Sequence, residues 1–167
     1  MLIGVLSDTH MPKRSVKLPA RLIAAFQDVD IILHLGDWVS MDVYHQLRTL
    51  APVEGVAGNN DGPEIVHRFG KRKILSLEGR KFGLVHGHEP LSRLTTPEKA
   101  VKSFQGEQVD CILFGHSHQP YHHIENGVLV FNPGSPTDKR REKEYSFGLL
   151  HIQGSTLSAR HVFYDKI

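Results

Sequence analysis

The amino-acid sequence predicts an α/β fold, and three observations carry that reading. Over the first two thirds, short apolar runs alternate with amphipathic stretches, the pattern of buried strands joined by helices. Each of five runs ends in a polar or glycine-rich cluster. In the last third the pattern changes to strands linked by the hairpin signals Asn126-Gly127 and Gly154-Ser155.

The strand candidates are Leu2 to Leu6, Ile31 to Leu35, Val53 to Ala57, Phe82 to Val85 and Cys111 to Phe114. Between them, Pro19 to Phe26 suits a helix with proline in its first turn, and Met41 to Leu50 one with Ser40 as its N-cap. Thr96-Pro97-Glu98 opens a third helix, running to about Phe104, with a capping hydroxyl and proline at the first position. Tyr121 to Glu125, Val128 to Phe131, Tyr145 to His151 and Thr156 to Tyr164 read as the hairpin strands. The charged stretch Asp138 to Glu144 is expected to be a solvated loop.

A chain of 167 residues with 40% hydrophobic content builds one core, so residues 1–167 are expected to form one domain. The net charge is +2, from 20 basic and 18 acidic residues. No global field marks a nucleic-acid or membrane-surface binder, and an anionic ligand must be held locally. Cys111 stands alone in an apolar run, which excludes a disulfide framework and a thiolate zinc site. It is expected to be a buried, inert thiol. The apolar start Met1 to Leu6 lacks the length and basic flank of a signal peptide, and no run spans a membrane. A cytoplasmic location is expected.

The unusual number is 12 histidines. Five polar clusters follow strands: Asp8-Thr9-His10, Gly36-Asp37, Gly58-Asn59-Asn60-Asp61, His86-Gly87-His88 and Gly115-His116-Ser117-His118. Residues just past the carboxyl ends of strands line one crevice in an α/β sheet, so these clusters converge. Oxygen donors mixed with imidazoles suit manganese, iron, nickel, zinc or magnesium better than an all-oxygen calcium site. Taken singly, Asp-x-His occurs by chance, Gly-Asp is a turn, and Gly-Asn-Asn-Asp-Gly is a tight loop. Their joint occurrence after successive strands is what points to metal.

The series Asp-x-His, Gly-Asp, Gly-Asn, His, Gly-His-x-His over residues 8 to 118, followed by Asn132-Pro133-Gly134-Ser135, resembles the calcineurin-like metallophosphoesterases. It is similar to their small single-domain bacterial and archaeal branch, which includes phosphodiesterases, and to a eukaryotic retromer subunit using the fold as a protein-binding scaffold. The resemblance implies two stacked mixed β-sheets flanked by helices, in four αββα layers. It implies a binuclear centre, manganese being the first choice, with Asp8, His10, Asp37 and His118 on one ion and Asp37, Asn59, His86 and His116 on the other. Asp37 then bridges, as a carboxylate with two oxygens can. The residues assigned to catalysis are Asp37, Asn59 and His86, with a metal-bridging hydroxide attacking phosphorus in line.

Asn60 stands where many larger members carry histidine, and an amide cannot protonate a leaving group, so His88 is the nearest substitute in sequence. Asp61 is expected to orient a ligand histidine from outside the metal shell, and His34 to be packed structurally. Lys13, Arg14, Lys139, Arg140 and Arg141 are candidates for substrate-phosphate contacts. The expected substrate is a small phosphodiester or nucleotide. A phosphomonoesterase on the same site and a noncatalytic scaffold are the competing readings, and the hairpin edge strands leave room for a homodimer.

Overall fold

The computed structural model describes residues Met1–Ile167. The elements in chain order are β1 (Leu2–Leu6), α1 (Ala20–Phe26), β2 (Ile31–His34), α2 (Met41–Arg48), β3 (Val53–Gly55), α3 (Pro63–Phe69), β4 (Arg72–Leu77), β5 (Arg80–Val85), α4 (Thr96–Ser103), β6 (Cys111–Leu113), β7 (Tyr121–Glu125), β8 (Val128–Asn132), β9 (Tyr145–Gln153) and β10 (Thr156–Tyr164). They form two five-stranded sheets, ordered β10-β9-β1-β2-β3 and β4-β5-β6-β8-β7. In the first, β1, β2 and β3 run parallel and the β9–β10 hairpin lies antiparallel beside β1. In the second, β5, β6 and β8 run parallel, with β4 and β7 antiparallel at the edges.

Period-2 alternation sends each strand's side chains to opposite faces. Ile3, Val5, Leu33, Phe82, Leu84, Leu113, Phe131 and Leu150 face between the sheets and form the sandwich core. The outer face of the first sheet packs Leu6 and Ile32 against Leu22 and Phe26 of α1 and Val43 and Leu47 of α2. That of the second packs Val85, Ile112 and Val130 against Ala100 of α4 and the following Phe104. Four αββα layers result, as the sequence resemblance implied. Close packing of α1 depends on Gly4, because a Cβ there would lie 2.8 Å from the Phe26 ring.

Several expectations need adjustment. Pro19 is the N-cap of α1, extended at φ −59° and ψ 141°, and not a residue of its first turn. The α4 cap is Thr95, not Thr96. Its hydroxyl accepts from Glu98 N while Glu98 reaches back to Thr95 N, a reciprocal capping box. Ser40 caps α2 as expected, accepting from Asp42 N at 3.1 Å. Two elements escaped the sequence reading. Helix α3 has Gly62 at its N-cap with no side-chain cap and buries only Ile65 and Phe69. Strand β4 is an edge strand with no fully buried residue.

Candidate metal centre

The polar clusters sit past the carboxyl ends of β1, β2, β3, β5 and β6, so the first sheet brings Asp8, His10, Asp37 and Asn59, and the second brings His86, His116 and His118. The turns are sharp. Asp8, His10, Asp37, His116 and His118 all have left-handed backbones, with φ of 57°, 45°, 59°, 69° and 62°. Such conformations are costly for residues other than glycine, and they gather where a site requires them. Cross-bonds hold them in place: Asp8 N donates to Gly36 O at 2.9 Å, His10 N to Asp37 O at 3.1 Å, and Gly115 N to His86 O at 2.9 Å.

Hydrogen bonds also set the direction of each ring. The Nδ1–H of His86 donates to Leu35 O at 2.7 Å, and that of His118 to Asp138 O at 2.6 Å, which turns both Nε2 atoms inward. Asp8 commits Oδ2 to Ser7 Oγ and to His116 N, at 2.8 and 2.9 Å. Its Oδ1 is free. Gly115 must be glycine here, since a Cβ would collide with Ser7 Oγ and stand 2.8 Å from Asp8 Oδ2.

Four buried atoms, Asp8 Oδ1 and the Nε2 atoms of His10, His86 and His118, consequently have no hydrogen-bond partner. They face one another. Asp8 Oδ1 lies 3.8, 3.7 and 3.6 Å from the Nε2 atoms of His10, His86 and His118, and Asp37 Oδ2 lies 3.3 Å from those of both His10 and His86. Asp8, His10 and His118 form one compact donor group, and Asp8, Asp37 and His86 a second. Buried polar atoms are almost always paired, and a divalent cation bound by nitrogen and carboxylate oxygen fits this set of orphans.

The electrostatics agree with a cation site. Burial works against ionising Asp37, yet the adjacent His10 and His86 rings and the hydrogen bond from Asn60 N hold the carboxyl far below the usual range. Burial likewise opposes charging His10, but Asp37 and Asp8 raise it to about 9. His86 is also raised, with Asp8 and Asp37 outweighing burial. Protons thus occupy a place that metal would take, and metal binding would release them. His116 goes the other way, down to about 4 through burial and the neighbouring His86 charge.

The remaining predicted residues fall as follows. His116 lies outside both compact groups, its ring 5.1 Å from that of His86, and Asn59 is exposed at the rim. Asn60 is occupied: its backbone N and its Nδ2 donate to the two oxygens of Asp37, each at 2.9 Å. His88 approaches to 5.4 Å from the His86 ring, and its buried Nδ1 is unpaired. Asp61 does not orient a histidine. Its carboxylate accepts from the backbone N–H groups of Asp37, Val39 and Gly58 at 2.8, 2.7 and 2.7 Å, gripping the ligand loop itself.

His34 is structural, buried and stacked 3.9 Å from Trp38, which in turn stacks 4.4 Å from Phe69. This anchors the residue next to Asp37. Arg14 and Arg140 both pair with Asp138, and Asp138 is buried. The expectation of a solvated loop is therefore wrong at its first residue.

Sequence reasoning missed the brace behind the site. Ser135 Oγ donates to Asp8 O at 2.8 Å, Thr137 Oγ1 to Thr9 O at 2.6 Å, and Asn132 Nδ2 to Gly115 O at 3.0 Å. Asn132-Pro133-Gly134-Ser135 was legible as a motif, but nothing in the sequence marked Thr137 or Asp138.

A two-sheet sandwich with carboxylate–histidine clusters at the carboxyl ends of its strands defines a class of metal-binding α/β domain. The chain belongs to the calcineurin-like phosphoesterase superfamily, whose domain matches residues 1–155. It is 38% identical to a probable metallophosphoesterase of Methanothermobacter thermautotrophicus, over 95% of this chain and 90% of that one. A phosphodiesterase of Methanocaldococcus jannaschii is 30% identical, over 80% of this chain and 83% of its own. Among solved structures it resembles Vps29 of Entamoeba histolytica complexed with zinc, with a TM-score of 0.76, 25% identity, and 98% and 99% of the two chains covered.

Proposed function

We propose that the protein is a binuclear metal-dependent phosphodiesterase acting on a small phosphoester or nucleotide. The observation that carries this reading is the convergence of four buried, unpaired donor atoms from both sheets. The proposed ligands are Asp8, His10, Asp37 and His118 for one ion and Asp37, Asn59, His86 and His116 for the other, with manganese the first choice. Asp37 suits the shared position because its Oδ2 is 3.3 Å from one histidine of each set. The phosphodiesterase relative at 30% identity favours diester over monoester chemistry.

Bound divalent ions supply a nucleophilic water of lowered pKa and neutralise charge on the phosphoryl oxygens. The chain supplies geometry. Leu35 O and Asp138 O fix the rings of His86 and His118, Asn60 fixes the Asp37 carboxylate, and Asp61 fixes the backbone that carries Asp37. Asn60 has its amide engaged on Asp37 and gives no proton to the leaving oxygen. The rate should then rise steeply as the leaving group becomes more acidic, since general acid catalysis is worth about 10²–10⁴-fold. No helix is long and apolar enough to cross a membrane, and we place the protein in the cytoplasm, where Cys111 stays reduced.

The test compares bis(p-nitrophenyl) phosphate with p-nitrophenyl phosphate, using metal-stripped protein titrated with manganese, zinc or magnesium. Diester hydrolysis is expected to vanish on stripping and return with metal. Full turnover without metal would refute the mechanism, and a faster monoester rate would reassign the substrate class. Stoichiometric metal binding without hydrolysis of either ester would favour a noncatalytic scaffold instead.

A further inference from the structure

A second group of charges lies against the donor cluster. Arg14 follows His10 by one turn, its N–H donating to His10 O at 3.0 Å. Asp138 holds His118 through its backbone carbonyl at 2.6 Å. The same Asp138 offers one carboxylate oxygen, Oδ2, to two arginines, with Arg14 Nε at 3.3 Å and Arg140 Nε at 3.9 Å. Both arginines approach it most closely through Nε, and both side chains are 54% exposed, so their guanidinium groups stay open to a ligand from solvent. Lys139 stands beside them, its Nζ 5.7 Å from the Tyr145 ring centroid. With Thr137 and Tyr145, these residues line a cleft of about 380 Å³.

Positioning Asp138 does not require this arrangement. Its backbone N–H already donates to Ser135 Oγ at 2.8 Å, and exposed arginine pairs contribute little to stability. Three cations against one carboxylate leave a local positive excess in a chain whose overall charge is only +2. Free guanidinium forks match phosphate oxygens two at a time.

Building on the phosphodiesterase reading, we propose that the Arg14–Asp138–Arg140 cleft binds a second phosphate group of the substrate. The favoured substrate is then a diester carrying a phosphate beyond the one cleaved, and not a simple diester; a phosphorylated nucleotide ester serves as its probe. Asp138 sets both sides of this arrangement, since its carbonyl orients His118 while its carboxylate draws in the arginines.

The test uses the full chain, zinc-loaded and metal-stripped, titrated with inorganic phosphate and followed by calorimetry and by NMR of the arginine Nε–H groups. Phosphate is expected to shift the Arg14 and Arg140 signals in both states. The corresponding affinity should fall on the order of ten- to a hundred-fold in an Arg14→Gln/Arg140→Gln double variant, and less in the lysine pair, which keeps charge without the fork. Unmoved arginine signals, or equal phosphate affinity in parent and glutamine variant, would overturn the site.

A second arm compares thymidine 5′-(p-nitrophenyl phosphate) with its 3′-phosphorylated form. In the parent, KM should be lower for the doubly phosphorylated ester, and the ratio should approach one in the double variant. Equal KM values in the parent would overturn the substrate class. Phosphate shifts at both arginines with no metal-dependent hydrolysis of any ester would instead defeat the phosphodiesterase reading and leave the anion site standing.

Discussion

Removing the Asp61 carboxylate tests whether the ligand loop is held from behind. Asp61 Oδ2 accepts from the N–H groups of Asp37 and Gly58, at 2.8 and 2.7 Å, and Oδ1 from Val39 N at 2.7 Å. Asp37 and Gly58 are buried, so in Asp61→Ala two donors lose their acceptor in a place water reaches poorly. Each such orphan costs about 1–3 kcal/mol, which predicts a loss of roughly 3 kcal/mol. In Asp61→Asn one carbonyl oxygen can still serve Asp37 and Gly58, while the more exposed Val39 N–H turns to water. Only the charge assistance disappears, for about 1–2 kcal/mol. The assay is urea unfolding of the metal-stripped protein at pH 7, paired with calorimetric titration of manganese. Because Asp37 is left-handed at φ 59°, the alanine variant should also bind metal at least tenfold more weakly. An alanine variant within about 0.5 kcal/mol of the parent, the usual range of an inconsequential surface change, would refute the reasoning. Alanine and asparagine variants of equal stability would refute the geometric part of it.

Three further outcomes follow from the site and its frame. On the proposed binuclear manganese reading, Asp37→Asn should reduce the bound ions from two to one or none, read by metal analysis after gel filtration; two retained ions would remove Asp37 from the shared position. His34 is held neutral by burial, its pKa lowered to about 3, whereas the unfolded side chain titrates near 6.5. Below about pH 6.5 the unfolded state takes up a proton the folded state refuses. Stability is therefore full above that pH and declines by up to about 1.4 kcal/mol per unit on the way down to pH 3. The pH 7 to pH 5 loss in urea midpoint stability should be about 2 kcal/mol larger for the parent than for His34→Gln, and equal losses would contradict a neutral buried His34. Gly115→Ala should weaken metal binding by crowding Asp8, while Gly4→Ala, which crowds Phe26, should cost about 1–3 kcal/mol of stability and leave metal affinity unchanged. A reversed pattern would mean the two close contacts were misjudged.

Much of the proposed donor set was legible in the sequence because its members follow apolar strands within a few residues, and the rule that strand ends converge needs no tertiary detail. Asp8, His10, Asp37, His86 and His118 meet within the two compact groups. What stayed hidden depended on contacts between distant segments. Asp138 looked like the start of a charged loop, yet it is buried and holds His118. Asp61 could be guessed as a supporting acceptor, but its three backbone partners could not, because turn geometry and not sequence spacing brings them to it. Helix α3 was missed for want of a capping side chain, and β4 because an edge strand buries too little to show its period.

The two sheets contribute opposite halves of the proposed donor set and are separated by an apolar filling that includes Phe82, Leu113 and Phe131. That filling acts as a spacer. Its thickness sets how far Asp8 and Asp37 stand from His86 and His118, and bond lengths to different divalent ions differ by only about 0.1–0.2 Å. Discrimination among ions by size would therefore be written partly in the volume of side chains that never touch them, and a methyl group added or removed between the sheets would be felt at the rim as a change in preferred ionic radius.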